Sequence, residues 1–147
     1  QWDKLRKHCY AEAGHVCEIC GDSGLNQGRK HAVEAHEIWT YDDANCVQTL
    51  ERIHILCPRC HQVKHLGRTL KYGGGHKARA HIARVNGMTA QGVRAYEELA
   101  FLVHALRSRF RWQVRIDALT QYTGEGMPLT VKQVKEAIKK AKSGKTA

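Results

Sequence analysis

Two short pairs of cysteines set the strongest limit on how this chain of 147 residues can fold. Cys17 and Cys20 are separated by two residues, and Cys57 and Cys60 repeat that spacing further along. Four thiolates, each about 2.3 Å from a zinc ion, complete a tetrahedral structural site with no open position. The two pairs therefore predict one closed zinc site that joins two distant segments of the chain.

The composition narrows the classes of partner. Lys and Arg number 24 against 14 Asp and Glu, and the resulting net charge of +10 predicts a polyanionic partner, nucleic acid first. No apolar run is long enough for a membrane span or a signal peptide, so we expect no membrane association and a cytoplasmic location. In that reducing compartment, Cys9 and Cys46, which lack a partner at the paired spacing, are expected to be free thiols.

Hydrophobic periodicity divides the chain into a central unit and flanking helices. We expect a helix over residues 2–13, strands over 31–39 and 47–56, and a helix from Pro58 to about Leu66. After a Gly73–Gly75 joint, the pattern predicts in order a helix over 77–85, a longer helix over 89–108, a half-buried strand over 110–116 and a last helix capped by Thr130. The longer helix carries an apolar stripe that we expect to pack on the core.

The length is that of one domain with a modest core. We therefore expect a single α+β domain over residues 1–147. Its parts are an N-terminal helix over 1–14, a core over 15–66, and a helical, basic extension over 67–147.

Three histidines suggest a second metal. His61 and His65 are four residues apart, so on a helix they share one face and can bind one ion together. His36 lies in the first predicted strand. A strand histidine, a second strand and a helix with this histidine pair make up a ββα unit that holds a metal between strand and helix. The alternatives are that the helix histidines are solvated, or that one replaces a cysteine on zinc.

Two segments, Val33–Ile38 and Leu56–His65, preceded by the Cys17 and Cys20 pair, resemble the HNH endonucleases, the His-Me finger or ββα-metal class with a four-cysteine zinc site. The resemblance covers roughly residues 15–66. It implies a small ββα-metal core held together by the zinc site, with flanking N- and C-terminal helices. It also implies hydrolysis of phosphodiester bonds in nucleic acid, with DNA expected, assisted by one divalent catalytic metal, Mg, Mn, Ni or Zn.

The resemblance assigns a role to each of these residues. His36 takes the strand metal-ligand position, and His61 and His65 take the helix ligand positions. The family usually has a histidine base directly after the strand ligand, where this chain has Glu37. Five residues before the first cysteine of the second pair, the family has an asparagine that braces a loop, and this chain has Arg52. A guanidinium cannot accept a hydrogen bond, so the loop must be braced in another way.

Strand geometry leaves a second assignment open. On a regular strand Glu34 and His36 share one face, and Glu37 points to the other. In that version His36 is the base and Glu34 is a ligand beside the two helix histidines, while His54 on the second strand is a candidate for either role. We prefer His36 as ligand and Glu37 as base, because the family register places them there.

Basic side chains of the C-terminal extension are the candidates for nucleic-acid contacts. Arg111 and Arg115 lie on the polar face of the predicted third strand, and Lys139 and Lys140 on the last helix. One metal centre cuts one strand, so cutting both strands would need a homodimer or two successive nicks. The alternative function is a non-catalytic nucleic-acid-binding or adaptor module on the same zinc-stabilised scaffold.

Overall fold

The computed structural model describes residues 1–143, which form an α+β fold around a three-stranded sheet, as predicted. The helices are α1 Trp2–Glu12, α2 Pro58–Lys64, α3 Leu66–Lys71, α4 Gly75–Asn86, α5 Ala90–Arg107 and α6 Val131–Lys142, and the strands are β1 Glu34–Asp42, β2 Val47–Leu56 and β3 Gln113–Arg115. Strands β1 and β2 pair antiparallel, and β3 lies parallel to β2 on its other side. Within residues 1–143, no helix combines the length and the apolar character that a membrane span requires. The last four residues of the predicted C-terminal extension, 144–147, lie outside the described residues.

Strand β1 begins three residues later than predicted, at Glu34 rather than His31. Its partner β2 ends at Leu56, because Cys57 already caps helix α2, and Glu34 is the residue paired with Leu56. The strand instead extends to Asp42, whose carboxylate accepts hydrogen bonds from the turn that leads into β2. His36 is therefore the third residue of the strand and lies at the end of the sheet nearest α2.

The two faces of the sheet have different neighbours, because neighbouring residues of a strand point to opposite sides. One face packs on helices α1 and α6, in a buried core that includes Leu5, Val33, Leu50, Ile53, Ile55 and Val134. The other face, at the end nearest α2, carries Glu34, His36, His54 and Leu56. Leu56 there packs against the four paired cysteines. One face thus supplies the core and the other supplies the polar residues.

Helix α2 is shorter than predicted and is followed by a second short helix. Its first turn fits the sequence, because the Cys57 side chain accepts the Cys60 N–H and Pro58 occupies the first helical position. It ends at Lys64, since His65 has backbone angles of φ −101° and ψ 43° that depart from a regular helix. The chain continues as α3 to Lys71.

Helix α5 has the predicted bounds and the predicted Thr89 cap, but the prediction that it packs on the core was wrong. Val93 is its single buried residue, packed against Ile82 of α4 in a small separate cluster. Leu99 and Leu102 are 59% and 57% exposed. The stripe has helical spacing, but α5 is held mainly at its two ends, by Val93 against α4 and by the ion pair of Arg107 with Asp43, so most of the stripe stays exposed.

The C-terminal segment returns to the far end of the sheet. The predicted strand over 110–116 is confirmed only for Gln113–Arg115, which pairs with Val47–Thr49 at the beginning of β2. Helix α6 starts with a capping box between Thr130 and Gln133 and packs on β3. Strand β3 therefore lies beside the end of β2 that is opposite to its junction with α2.

Candidate metal centres

The two cysteine pairs converge on one point beside the first turn of α2. The ligand atoms of Cys17, Cys20, Cys57 and Cys60 all lie within 4.8 Å of one another. Cys20 Sγ is 3.7 Å from Cys57 Sγ and 3.6 Å from Cys60 Sγ. Four sulfurs bonded to a tetrahedral zinc ion at about 2.3 Å would be about 3.8 Å apart. The cluster can hold one metal ion and is consistent with the predicted zinc site.

The acidity of the thiols supports the same interpretation. A hydrogen bond from the Cys60 thiol lowers the pKa of Cys17 to about 4. The same pairing, together with burial, raises the pKa of Cys60 well above its ordinary value, and burial raises the pKa of Cys20 to about 11. Ionisation of Cys17 is thus favoured, whereas ionisation of Cys20 and Cys60 is opposed. A divalent cation would supply the positive charge that four neighbouring thiolates need.

Glu18, inside the first cysteine pair, supplies the brace that Arg52 cannot. Its carboxylate accepts the Ile55 N–H at 2.5 Å and a guanidinium N–H of Arg52 at 2.8 Å. The Glu18 backbone N–H also donates to the Ile55 carbonyl at 2.9 Å. The segment of the first cysteine pair is therefore hydrogen-bonded to the last residues of β2. Arg52 contributes to this contact as a hydrogen-bond donor to Glu18.

His81 of helix α4 is a residue of the cysteine cluster that the sequence analysis missed. Its Nε2 lies 3.1 Å from Cys60 Sγ, and Nη2 of Arg84 lies 3.1 Å from its Nδ1. A guanidinium can only donate, so Nδ1 accepts and Nε2 carries the proton that it donates to the sulfur. No fixed spacing links position 81 to the cysteine pairs, so the sequence alone gave no reason to place it there.

The three predicted ligand histidines form a second cluster. The ligand atoms of His36, His61 and His65 lie within 4.8 Å of one another, and the Nε2 atoms of His61 and His65 are 3.2 Å apart. Two imidazole nitrogens on a zinc ion at about 2.0 to 2.1 Å would be about 3.4 Å apart in a tetrahedral site. The ring planes are nearly perpendicular, at 76° to 87°, so the rings do not stack on one another. This donor set fits one metal ion.

The protonation of these rings also suits a metal ligand. Burial, and then the charges of His61 and His65, lower the pKa of His36 to about 4, so its ring is neutral near pH 7. Burial, and then the charge of His61, lower the pKa of His65, although nearby carboxylates partly oppose this. Neutral imidazole is the form that binds a metal. Nδ1 of His36 is buried and has no hydrogen-bond partner within residues 1–143.

Glu34 contacts the histidine cluster from β1. One oxygen of its carboxylate contacts Nδ1 of His61, and the other lies 2.7 Å from Nε2 of His31. The contact with His61, and then the one with His31, lower the pKa of Glu34 to about 2, in spite of its partial burial. A carboxylate on one ring nitrogen leaves the other nitrogen free for a metal and fixes the orientation of the ring.

The structure also places the two remaining candidates for the base. Glu37 pairs with Ile53, whose side chain lies in the core, so the pleat directs Glu37 to the face opposite His36. Its charge nevertheless reaches His65 and opposes the lowering of that pKa. His54 pairs with His36 and shares its face, but it is only 8% exposed, and its Nε2 lies 4.0 Å from Glu18.

The four residues predicted to contact nucleic acid lie away from the histidines. Arg115 pairs with Thr49, five positions before His54 on β2, which corresponds to roughly 17 Å along the strand. Arg111 precedes β3, and Lys139 and Lys140 lie on α6, which packs on β3. All four are exposed. The structure therefore does not bring them to the histidine cluster.

A different set of basic residues lies near the histidines. His61, His65 and Glu34 line a cleft of about 910 Å³, together with Arg29, Arg68 and Lys77. These three cations come from separate segments, namely the loop before β1, α3 and α4. These residues are isolated from one another along the chain, so no pattern predicts the cleft.

Comparisons of the chain with models of protein families, with curated proteins and with solved structures found no match. The interpretation of the two clusters therefore depends on their own geometry. Four convergent sulfurs and three convergent imidazoles lie on the two sides of one short helix, α2, and each set has the spacing of a single metal ion.

Proposed function

We propose that this protein is a metal-dependent endonuclease of the HNH type that hydrolyses phosphodiester bonds in nucleic acid, with DNA as the expected substrate. The observation that carries the proposal is the convergence of His36, His61 and His65 apart from the cysteine cluster. Four cysteines already saturate a tetrahedral zinc, so the fold has no structural need for three further convergent imidazoles. The resemblance of residues 15–66 to the HNH endonucleases supports the same conclusion.

The ligand type selects among metals. Imidazole nitrogens suit Zn, Ni, Mn or Co, whereas Mg prefers oxygen ligands and keeps several waters. When bound, such an ion would polarise a phosphate oxygen and stabilise the negative charge that grows as the phosphodiester bond breaks. The half-buried His61 and the exposed His65 border a cleft that is large enough to admit a nucleotide strand.

Each residue of the cluster has a separate task in this proposal. His36, His61 and His65 are the ligands, and Glu34 orients His61 through the ring nitrogen that does not face the other histidines. The base that removes a proton from the attacking water is Glu37 by the resemblance. Replacement by Gln tests this role, since Glu37→Gln would abolish cleavage while metal binding persists.

The experiment that tests the function is nicking of supercoiled plasmid. Protein that keeps the metal of its cysteine cluster but has been freed of more weakly bound metal would be supplied in turn with Mg, Mn, Ni or Zn, with His61→Ala as the inactive variant and His104→Ala, an exposed histidine of α5, as the matched control. We expect nicking by wild type and His104→Ala, and none by His61→Ala. Nicking that survives in His61→Ala would remove the histidine cluster from the mechanism.

One observation favours a second function, a non-catalytic nucleic-acid-binding or adaptor module. The pleat of β1 directs Glu37 away from the face of the histidines, and a base must reach the attacking water. Retained gel-shift binding without nicking under any of the four metals, on DNA and on RNA, would support this module and contradict the nuclease.

A further inference from the structure

The cleft beside the histidine cluster is lined by several separate segments of the chain. They include helix α1, the loop at Arg29, and helices α3 and α4. His61, His65 and Glu34 also line this cleft, so a polymer bound along it would pass next to the proposed metal site.

The charge of the cleft is unbalanced. Arg29, Arg68 and Lys77 make no salt bridge within residues 1–143, whereas three arginines elsewhere pair with acids, as Arg52 does with Glu18, Arg79 with Glu97 and Arg107 with Asp43. The carboxylate that lines the cleft, Glu34, is already bound to His61 and His31. The cations are therefore free to attract an anion, and a sugar-phosphate backbone offers one charge per nucleotide.

An aromatic ring stands in the same cleft. Tyr72, which follows the last residue of α3, is 73% exposed, so the packing of the fold does not account for it. An exposed ring beside free cations is the arrangement that binds unpaired nucleotides, because bases stack on the ring while the cations follow the backbone. A base inside an intact duplex has both faces covered and cannot stack in this way.

We propose that this cleft binds an unpaired strand of nucleic acid, with phosphates on Arg29, Arg68 and Lys77 and a base stacked on Tyr72. This inference deepens the proposed nuclease function and rests on it only for the cleavage of the bound strand. The substrate class is a single strand, or a duplex with an unpaired segment, rather than a regular duplex.

Binding of a labelled single-stranded oligonucleotide, followed by fluorescence anisotropy over a range of salt concentrations, tests the charge contacts. The matched pair of variants is Arg29→Ala/Arg68→Ala in the cleft and Arg94→Ala/Arg109→Ala, which replaces two exposed arginines outside the cleft, one in α5 and one just after it. Both pairs remove two arginines, but only the first removes cleft contacts. The slope of log K against log salt is negative. We expect the first variant to make it shallower by about 1.4, at about 0.7 per lost phosphate contact, and the second to leave it unchanged. Equal slopes for the two variants would overturn the proposal.

The stacking contact is tested separately with Tyr72→Ala, Tyr72→Phe and the control Tyr96→Ala, an exposed tyrosine of α5 outside this cleft. We expect Tyr72→Ala to weaken single-strand binding roughly tenfold, and Tyr72→Phe and Tyr96→Ala to bind as wild type does. Binding of a regular duplex should be weaker and should not change in Tyr72→Ala. Unchanged single-strand binding in Tyr72→Ala would refute the stacking contact.

The same measurements with DNA and RNA oligonucleotides of one sequence separate the two sources of an unpaired strand. The oligonucleotide that binds more tightly identifies which nucleic acid the cleft prefers. The cleft variants must lose affinity for that oligonucleotide. These binding results do not depend on cleavage, so the two proposals fail separately. Cleft variants that lose binding while wild type never cleaves would reject only the nuclease, and normal binding in cleft variants of an active enzyme would reject only the cleft.

Discussion

The four-cysteine and three-histidine clusters share helix α2, but they differ in burial. Cys57 is 0% exposed and Cys60 4%, whereas the His61 side chain is 24% exposed and borders an open cleft. Soft thiolates enclosed by protein retain a metal and leave no open position, while imidazoles beside a cleft leave room for solvent or substrate. One helix of seven residues thus lies between an enclosed cluster and a cluster that borders an open cleft.

The largest effect is expected when the cysteine cluster is broken. In Cys57→Ala the predicted zinc site would lose a ligand, and helix α2 would lose the side chain that caps its N-terminus. Zinc binding is folding energy in small domains, so we expect a loss of about 4 kcal/mol or more in the free energy of unfolding, together with loss of zinc. Thermal unfolding followed by circular dichroism and a colorimetric zinc assay would measure both.

The control for this change is Cys46→Ala, which removes a thiol outside the cluster. It should keep its zinc and unfold within a few degrees of wild type. If Cys57→Ala kept its zinc and its unfolding temperature, the cysteine cluster would not be the structural site.

A smaller effect, confined to the histidine cluster, is expected for Glu34→Ala. Loss of the carboxylate that orients a ligand imidazole typically weakens metal binding 10- to 100-fold, while the fold, which depends on the cysteines, should persist. Titration of zinc-loaded protein with Ni²⁺ by calorimetry would measure the affinity. Glu37→Ala is the matched control, because it removes the same group from the opposite face of β1. Similar losses of Ni²⁺ affinity in both variants would contradict the prediction that only the face of β1 that carries Glu34 supports the metal site.

His81→Ala should affect the cysteine cluster alone. The N–H donated to Cys60 Sγ offsets part of the thiolate charge, so its loss should speed zinc release to a chelator about tenfold. His81→Gln keeps an N–H donor and should recover part of the retention, whereas the exposed His104 can be replaced by Ala without effect. Equal rates in His81→Ala and wild type would leave His81 as a packing residue only.

The sequence was sufficient for whatever depends on spacing along one element. The paired cysteines, the His61 and His65 pair and the Thr89 cap each depend on neighbours within a single turn, and the structure confirms their placement. The start of β1 was misjudged because it depends on where β2 ends. His81 and the basic cleft were not predicted, because both depend on contacts between residues that are far apart in the sequence. Hydrophobic periodicity and motif spacing contain no information on such contacts.

The smallest effect concerns the brace between the cysteine loop and β2. Burial would raise the pKa of Glu18, but the Ile55 N–H and the Arg52 guanidinium outweigh it and hold the pKa below its ordinary value of 4.5. A carboxyl with a lowered pKa stabilises the folded state fully above that ordinary value and loses this contribution as the pH falls through its folded pKa. Glu18→Gln should therefore cost about 1 kcal/mol at pH 7, since the carboxylate is partly exposed, and the gap should close in acid. Urea unfolding of wild type and Glu18→Gln, at pH 7 and in acid, gives the difference in the free energy of unfolding. Release of zinc in acid affects both proteins and cancels in this difference. A gap that stays constant into acid would mean that Glu18 braces the loop by shape and not by charge.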